Sequence, residues 1–475
     1  MKPNMKEATN RDVVNIKYEK QRVEFKKIVD NKKYYVRTYG CQMNTHDSEE
    51  IKYYLESLGF LETKVLEEAD VVVLNTCAIR ENAKEKLFGF LSRSKFIKEN
   101  VNKNLIIALC GCLMQVEDET DFVELKHKYV DIVVGTHNII DLPLYVEKKY
   151  KNIKNNIENS QNINVHSNSD LVYTSPSYSR DSKISAWVNI TYGCDNFCTF
   201  CIVPYTRGRE RSRTKEDILN EVIKLKENGY KGITLLGQNV NSYGKSFKDG
   251  YRFPNLLEDV AKVGVERIRF VTSNPWNFSD DLINVVKTYD NIMPYIHLPV
   301  QSGSNNILKR MNRRYTKESY LELFDKIKNS VPNVSVTTDI IVGFPGESDE
   351  DFNDTMDLVN RCKFDGAFTF IYSKRSGTAA SLMEDAITLE EKENRLYKLN
   401  DLVNSYSLLN NKKLVGKTVK VLVEGVSDKD KNKVYGHTDT MKTVNLIGSS
   451  DLVGNIVNVE ITSAKSFNLE GKYIN

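Results

Sequence analysis

Cys194, Cys198 and Cys201 place three thiols at C-x3-C-x2-C spacing in one short loop, Gly193-Cys194-Asp195-Asn196-Phe197-Cys198-Thr199-Phe200-Cys201. Three thiolates fall one short of the four ligands that close a structural zinc site. They suffice for three irons of a cubic 4Fe-4S cluster, whose fourth iron is then open to a substrate. The competing reading is a zinc loop that borrows a fourth ligand from a distant part of the chain. Further thiols follow runs that read as strands: Cys41 after Tyr34–Tyr39 and Gly40, Cys77 after Asp70–Thr76, and Cys110 and Cys112 after Leu105–Leu109. Sites past the carboxyl ends of strands are where open α/β sheets bind ligands.

The elements that must position these thiols fall into blocks. Residues 1–31 are polar and read as a flexible arm or a single surface helix. Over 32–150 the strands alternate with helices. One helix starts at Ser48, with Ile51, Tyr54, Leu55 and Leu58 on one face and Gly59 as its stop; another runs through Lys86 and Leu91. That alternation predicts an open parallel α/β sheet. Residues 151–183 contain KNIKNNIENSQNINVHSNSD, too rich in Asn and Ser to bury a core, and read as a linker. Over 184–412 six candidate strands (Ala186–Ile190, Gly232–Leu236, Arg267–Val271, Tyr295–Leu298, Val334–Val342 and Ala367–Ile371) alternate with helices. This predicts a (β/α)6 partial TIM barrel. Cys194 follows its first strand, at the end where such barrels carry active sites. Thr214 is placed to cap a helix that buries Ile218, Val222 and Leu225. Residues 413–475 alternate as short strands and predict a small all-β, OB-like barrel of five strands.

A chain of 475 residues fits two to four domains, and a hydrophobic fraction of 40% can fill their cores. Eight cysteines, most of them clustered, point to metal rather than to a disulfide scaffold. The start, MKPNMKEATNRDVV, lacks the apolar run of a signal peptide. No stretch approaches the roughly 18 apolar residues of a membrane span, so a cytoplasmic protein without a membrane partner is expected. The net charge of +3 confines any nucleic-acid surface to a local patch.

The cysteine loop, with Phe200 before its last thiol, resembles that of the radical S-adenosylmethionine (SAM) superfamily. There the open iron chelates the amino acid end of SAM, and reduction releases a 5′-deoxyadenosyl radical. Thr38-Tyr39-Gly40-Cys41-Gln42-Met43-Asn44, Asn75-Thr76-Cys77-Ala78-Ile79-Arg80-Glu81 and Gly111-Cys112 resemble a methylthiotransferase domain. With a TRAM domain at the end, the order of parts resembles the tRNA methylthiotransferases from residue 32 onward. The YGCQMN and NTCAIRE forms and Val203-Pro204-Tyr205-Thr206-Arg207-Gly208-Arg209 resemble the branch acting on N6-dimethylallyladenosine beside the anticodon. Two alternatives stand beside it: the branch acting on threonylcarbamoyladenosine, and a non-catalytic RNA-binding iron–sulfur protein. The chain departs from the family pattern in its extra Cys110 and in Ser376-Gly377-Thr378, where relatives often carry Pro.

The resemblance implies replacement of the C2 hydrogen of an adenine by a methylthio group. That C–H has neither useful acidity nor a leaving group, so a cofactor must supply a radical. It implies two 4Fe-4S clusters, one on Cys194, Cys198 and Cys201 and one, carrying the sulfur, on Cys41, Cys77 and Cys112. One SAM gives the methyl group and another the radical. Gln238 or Asn239 then lies near the SAM amino group, Ser273 and Asn274 near ribose hydroxyls, and Gly343, Gly346 and Glu347 in a loop that lets backbone approach the adenine. His297, Gln301 and Ser302 follow the fourth strand and can contact SAM or substrate; ordinary strand-end turn chemistry is the competing reading. The implied partners are tRNA, an electron donor such as flavodoxin or ferredoxin, and a sulfur donor, for a monomeric enzyme.

RNA binding needs cations for phosphates and aromatic groups for bases. Arg207, Arg209, Arg211 and Arg213, just past the cysteine loop, are the candidate tRNA contacts, with Lys309, Arg310, Arg313 and Arg314 as a second patch; a solvated helix face is the competing reading for either run. In the TRAM stretch His437, with its neighbours Gly436–Asp439 and Lys442–Val444, resembles an RNA-binding surface. Trp187, Trp276, Met311 and Cys362 read as packing residues. Cys110 and Cys112 could both face a cluster, since residues two apart in a strand share a face. Cys112 is favoured because it follows a glycine, lies further past the strand and fits the family separation, leaving Cys110 to pack as a small apolar residue.

Overall fold

A computed structural model describes residues 16–20, 25–78, 81–157, 160–174 and 178–474. Ile79 and Arg80 of the second cysteine motif, and most of the N-terminal arm, lie outside them.

The first domain is a six-stranded, all-parallel sheet in the order Leu61–Glu62, Lys33–Tyr39, Val71–Thr76, Ile106–Gly111, Ile132–Val134, Asn162–Asn164. Its central strands Val71–Thr76 and Ile106–Gly111 are buried along their whole length, as an apolar run between two helical layers requires. The first strand is flanked by the second and the third, so the strand order reverses there, and the crevice lies at the carboxyl ends that lead into Cys41 and Cys77. The helix expected from Ser48 begins earlier, at Gln42, with Cys41 as its N-cap residue, and ends at Ser57.

The second domain pairs Arg267–Phe270, Gly232–Leu236 and Ser185–Asn189 in one parallel sheet, and Tyr295–His297, Ser335–Val342 and Gly366–Ile371 in another. A parallel bridge between Ile268 and Ile292 joins the two halves. The result is the six-stranded open barrel expected. The helix Lys215–Glu227 is capped by Thr214 Oγ1, which accepts from Asp217 N, and buries Ile218, Val222 and Leu225. Cys362 and Met311 are buried among apolar side chains, Trp187 lies half-buried under the Arg269 guanidinium, and Trp276 is half-buried.

The last domain is a closed barrel in which Thr418–Val426, Lys433–Thr438, Thr443–Ile447, Leu469–Ile474 and Ile456–Ala464 pair in that circular order. All pairings are antiparallel except that of Thr443–Ile447 with Leu469–Ile474. It docks under the starting ends of the central strands: Arg267 Nη1 donates to His437 O (2.6 Å) and Nη2 to Lys420 O (3.0 Å), and Lys442 Nζ pairs with Asp365 Oδ1 (3.0 Å).

Two expectations need correction. The arm is not helical at 17–20: Lys17–Lys20 is a strand parallel to Leu171–Thr174, and Tyr18 donates to Ser212 O (3.0 Å). The Asn/Ser-rich stretch is not a bare linker. The helix Leu142–Lys154 runs into it, Asn162–Asn164 extends the first sheet as its edge, and Leu171–Thr174 receives the arm. Edge pairing rests on backbone hydrogen bonds and so tolerates polar side chains that a core would not.

Candidate functional site

The two sets of thiols lie where both sheets end, on either side of the domain boundary. In the barrel set, Cys194 and Cys198 are buried and Cys201 half-buried. The loop is tied down at several points. Gly193 N donates to Gln238 Oε1 (2.5 Å), Cys194 N to Gly208 O (3.1 Å) and Thr199 N to Met311 O (3.1 Å). Gly193 sits at φ +75°, and a Cβ there would come within 2.2 Å of Arg209 O, so only glycine fits. Burial pushes the Cys201 thiol up to about 12 and Cys194 well above its usual range. Buried thiols that face one another can ionise together only around a cation, as metal-bound thiols do.

In the first domain, Cys41 is half-buried, and Cys77 and Cys112 are buried. The Cys41 thiol is drawn down to about 6, chiefly by a hydrogen bond from Cys77, with Arg207 and the first amides of its helix working against desolvation. Asn44 and Asn75 lock the two loops together. Asn44 Nδ2 donates to Asn75 Oδ1 (2.9 Å) and Thr76 O (3.1 Å), and Asn75 Nδ2 returns to Asn44 O (2.8 Å). Cys110 and Cys112 part company at Gly111, whose φ of +96° turns the chain; a Cβ there would meet Asn75 Oδ1 at 2.3 Å. Cys110 packs in the apolar core of the sheet with Val73 and Val134, and its Sγ lies 3.8 Å from Leu74 O. Cys112 instead touches Ala78 and Ile202, a residue of the barrel's cysteine segment. Among the described residues no group of three or more His, Cys, Asp or Glu closes on a single metal ion. A cubane asks for wider spacing, because each thiolate takes its own iron.

Two guanidiniums, that of the buried Arg207 and that of the half-buried Arg313, reach these thiols, and sequence reasoning assigned neither this role. Arg207 Nε donates to Cys112 Sγ (3.2 Å) and its Nη2 to Asp47 Oδ2 (2.7 Å). Arg313 Nη1 donates to Cys198 Sγ (3.3 Å), with the guanidinium 5.1 Å from the Trp276 ring and 5.2 Å from that of Tyr315.

The arginine run expected to contact RNA is therefore corrected. Arg207, Arg211 and Arg213 are buried. Arg209 forks onto Asp195 (2.7 and 3.2 Å), Arg211 bonds Ser169 O and Arg207 O, and Arg213 pairs with Asp217 and Glu221, both at 2.7 Å. Alternating arginines in a polar stretch look like a solvated face, but here each guanidinium is taken up by partners inside the protein. His437 is corrected too: it bonds Glu424 Oε2 (2.5 Å) against the underside of the barrel, beside Ser185, Arg267 and Arg269. Lys309, Arg310 and Arg314 remain exposed near the loop, Arg310 lending its backbone O to Thr199 Oγ1 (2.9 Å).

Glu221 also holds Arg180 (2.5 Å), which reaches Glu49 of the first domain (3.3 Å). Removing one member of a buried ionic network strands its partners, at a cost of about 3–5 kcal/mol. Arg213→Met is therefore expected to lower the denaturant midpoint of the first unfolding transition by that much stability; an unchanged midpoint would show the network to be idle.

The expected SAM-side residues divide. Asn239 and Asn274 are buried, and each has an amide oxygen with no partner. Such orphaned acceptors under a barrel mouth fit a ligand's donors. Ser273 spends its hydroxyl on His297 O, and Gln238 holds the cysteine loop. His297 pairs with Asp339 (3.3 Å), while Gln301 and Ser302 are buried. Gly343 and Gly346 both have positive φ, and Glu347 accepts from Gly343 N (3.0 Å) and pairs with Arg395 (2.9 Å). Glu347 thus braces the loop rather than presenting its carboxylate.

A model of the radical SAM superfamily matches residues 188–359, one of the TRAM domain residues 412–474, and one described as an uncharacterized protein family, UPF0004, residues 33–135. The chain is 47% identical over 474 residues to a tRNA-2-methylthio-N(6)-dimethylallyladenosine synthase of Thermoanaerobacter pseudethanolicus, covering 98% of this chain and 99% of the relative. It is 46% identical to the protein of that name from Bacillus subtilis, covering 99% and 92%. Among solved structures, the radical SAM methyltransferase TsrM of Kitasatospora setae shares the fold, with a TM-score of 0.52 at 10% identity over 74% of this chain and 77% of that one.

Proposed function

The chain belongs to the family of tRNA-2-methylthio-N(6)-dimethylallyladenosine synthases within the radical SAM superfamily, and we propose that its two thiol triads divide the work of that reaction. It is a tRNA methylthiotransferase that puts a methylthio group on C2 of N6-dimethylallyladenosine. When bound, two 4Fe-4S clusters and SAM supply a 5′-deoxyadenosyl radical, a sulfur atom and a methyl group. Cys194, Cys198 and Cys201 hold the cluster that meets SAM. Cys41, Cys77 and Cys112 hold the one that carries sulfur. The observation that carries this reading is the facing of two three-thiol sets across one domain boundary, each with two buried thiols and one half-buried, and each with an arginine on one of its sulfurs. Clusters bearing three thiolates are anionic, and the guanidiniums offset that charge.

Around them the chain binds and excludes. The unpaired oxygens of Asn239 and Asn274 accept from the ammonium or hydroxyls of SAM. Gln238 fixes the cysteine loop, and the Gly343–Glu347 turn, braced by Arg395 and by Glu347 on Gly343 N, is held rigid beside the adenine. The buried walls around both triads keep water from a reactive radical. The reading adds a flavodoxin- or ferredoxin-type reductant, a separate sulfur donor, a monomeric chain and a cytoplasmic setting. All eight cysteines are free, as a reducing compartment would leave them, and no described helix is long and apolar enough to cross a membrane.

Mass spectrometry of tRNA nucleosides from a strain lacking this activity tests the reading. Expression of the chain is expected to convert N6-dimethylallyladenosine to its 2-methylthio form. Accumulation of methylthiolated threonylcarbamoyladenosine instead, or no change, would refute it.

A further inference from the structure

Arg207 enters the first domain from the barrel. It follows the short helix Val203–Thr206, which leaves the Cys194–Cys201 loop, and its guanidinium ends between Cys112 and Asp47. It is only 6% exposed, so water is not its partner. The fork splits its donors: Nε serves the sulfur and Nη2 the carboxylate, the latter at 2.7 Å. Asp47, on the helix Gln42–Ser57 that Cys41 caps, thereby fixes the plane in which Nε meets the thiol. The same segment touches Cys112 a second time through Ile202, and Thr136 Oγ1 of the first domain bonds Thr206 O. Arg313 shows that a guanidinium on a thiol is used twice here, but Arg313 lies in the same domain as its Cys198. Arg207 instead donates from one domain to a cysteine sulfur of the other.

We propose that Arg207 is a positioning residue for the first-domain triad: it orients the Cys112 thiolate and sets the electronic state of what that triad holds, from across the domain boundary. This rests on the reading that Cys41, Cys77 and Cys112 hold a cluster. Hydrogen bonds to cluster sulfurs and nearby charge are the protein's levers on its potential. An N–H donated to a thiolate stabilises the more negative, reduced state, so losing it lowers the potential. Lysine cannot replace the fork, because a compact ammonium cannot serve sulfur and carboxylate in one plane.

The test uses the full-length Cys194→Ala/Cys198→Ala/Cys201→Ala protein, reconstituted with iron and sulfide so that only the first triad can load. Into it go Arg207→Lys, and Arg207→Met combined with Asp47→Asn, which removes both buried charges together and strands neither. Iron per chain, the paramagnetic resonance signal of the reduced protein and its midpoint potential are read out. Both variants are expected to show a lower midpoint potential with an altered signal, or to lose first-triad iron while melting cooperatively. In the protein with all its cysteines, methylthiolation by Arg207→Lys is expected to fall roughly 10–100-fold, the usual cost of losing a ligand's supporting contact. Iron, signal and potential all equal to the parent's would overturn the proposal, even with methylthiolation reduced, because Arg207 would then only tie the domains together. A triple-cysteine parent that takes up no iron at all would overturn the underlying reading along with it.

Discussion

Cys112→Ser is expected to abolish methylthiolation and remove about one cluster's worth of iron, while Cys110→Ser, two residues away, keeps both clusters and full activity. Strand periodicity alone would send both thiols to one face. Gly111 breaks that equivalence: its positive φ ends the strand, and the next residue starts a turn of 3-10 helix facing the barrel. Cys110 stays behind in a core where burial holds its thiol well above the usual range and protonated. A serine hydroxyl there replaces a buried, near-apolar group and can donate to Leu74 O, so the change costs some stability and no chemistry. Cys112 has no such substitute, since a hydroxyl is a poor ligand for iron. SAM cleavage should persist in Cys112→Ser, because the barrel loop is tied to its own domain through Gln238, Met311 and Gly208. Cleavage and iron are read on the same preparation. A dead Cys110→Ser beside an active Cys112→Ser would reverse the assignment.

The second large effect is in the barrel. Cys201→Ala should give no 5′-deoxyadenosine after chemical reduction, against steady formation by the parent. On the proposed reading each of the three thiolates holds one iron, so removing Cys201, held in its turn by Cys201 N on Cys198 O at 2.9 Å, should collapse the cluster. Normal SAM cleavage by this variant would sink the radical assignment.

Much of this site was legible because strand ends, glycines and cysteines carry local signals. The alternating strands and helices of the first domain and the barrel predict both sheets, and glycine-preceded thiols mark the turns out of them. What stayed hidden depends on partners remote in sequence. Lys17–Lys20 has no periodicity to announce a strand, and its partner strand Leu171–Thr174 lies far along the chain. Arg207 and Arg211 read as tRNA contacts until Asp47 and Ser169 meet them. His437 lies in a stretch that resembles an RNA surface, yet its strand faces the barrel's underside, a docking fixed by Arg267 and Lys442. Asn44 and Asn75 stood inside recognisable motifs, but the lock between them exists only once two strand ends lie side by side.

The division of labour between the triads is tested most directly by one chromatographic run on a single reaction. Reconstituted protein, SAM, reductant and tRNA containing N6-dimethylallyladenosine are combined, and 5′-deoxyadenosine and the 2-methylthio nucleoside are quantified together. The parent should form both, Cys112→Ser only 5′-deoxyadenosine, and Cys201→Ala neither. Methylthio product from Cys112→Ser, or from Cys201→Ala without 5′-deoxyadenosine, would contradict two triads with separate tasks.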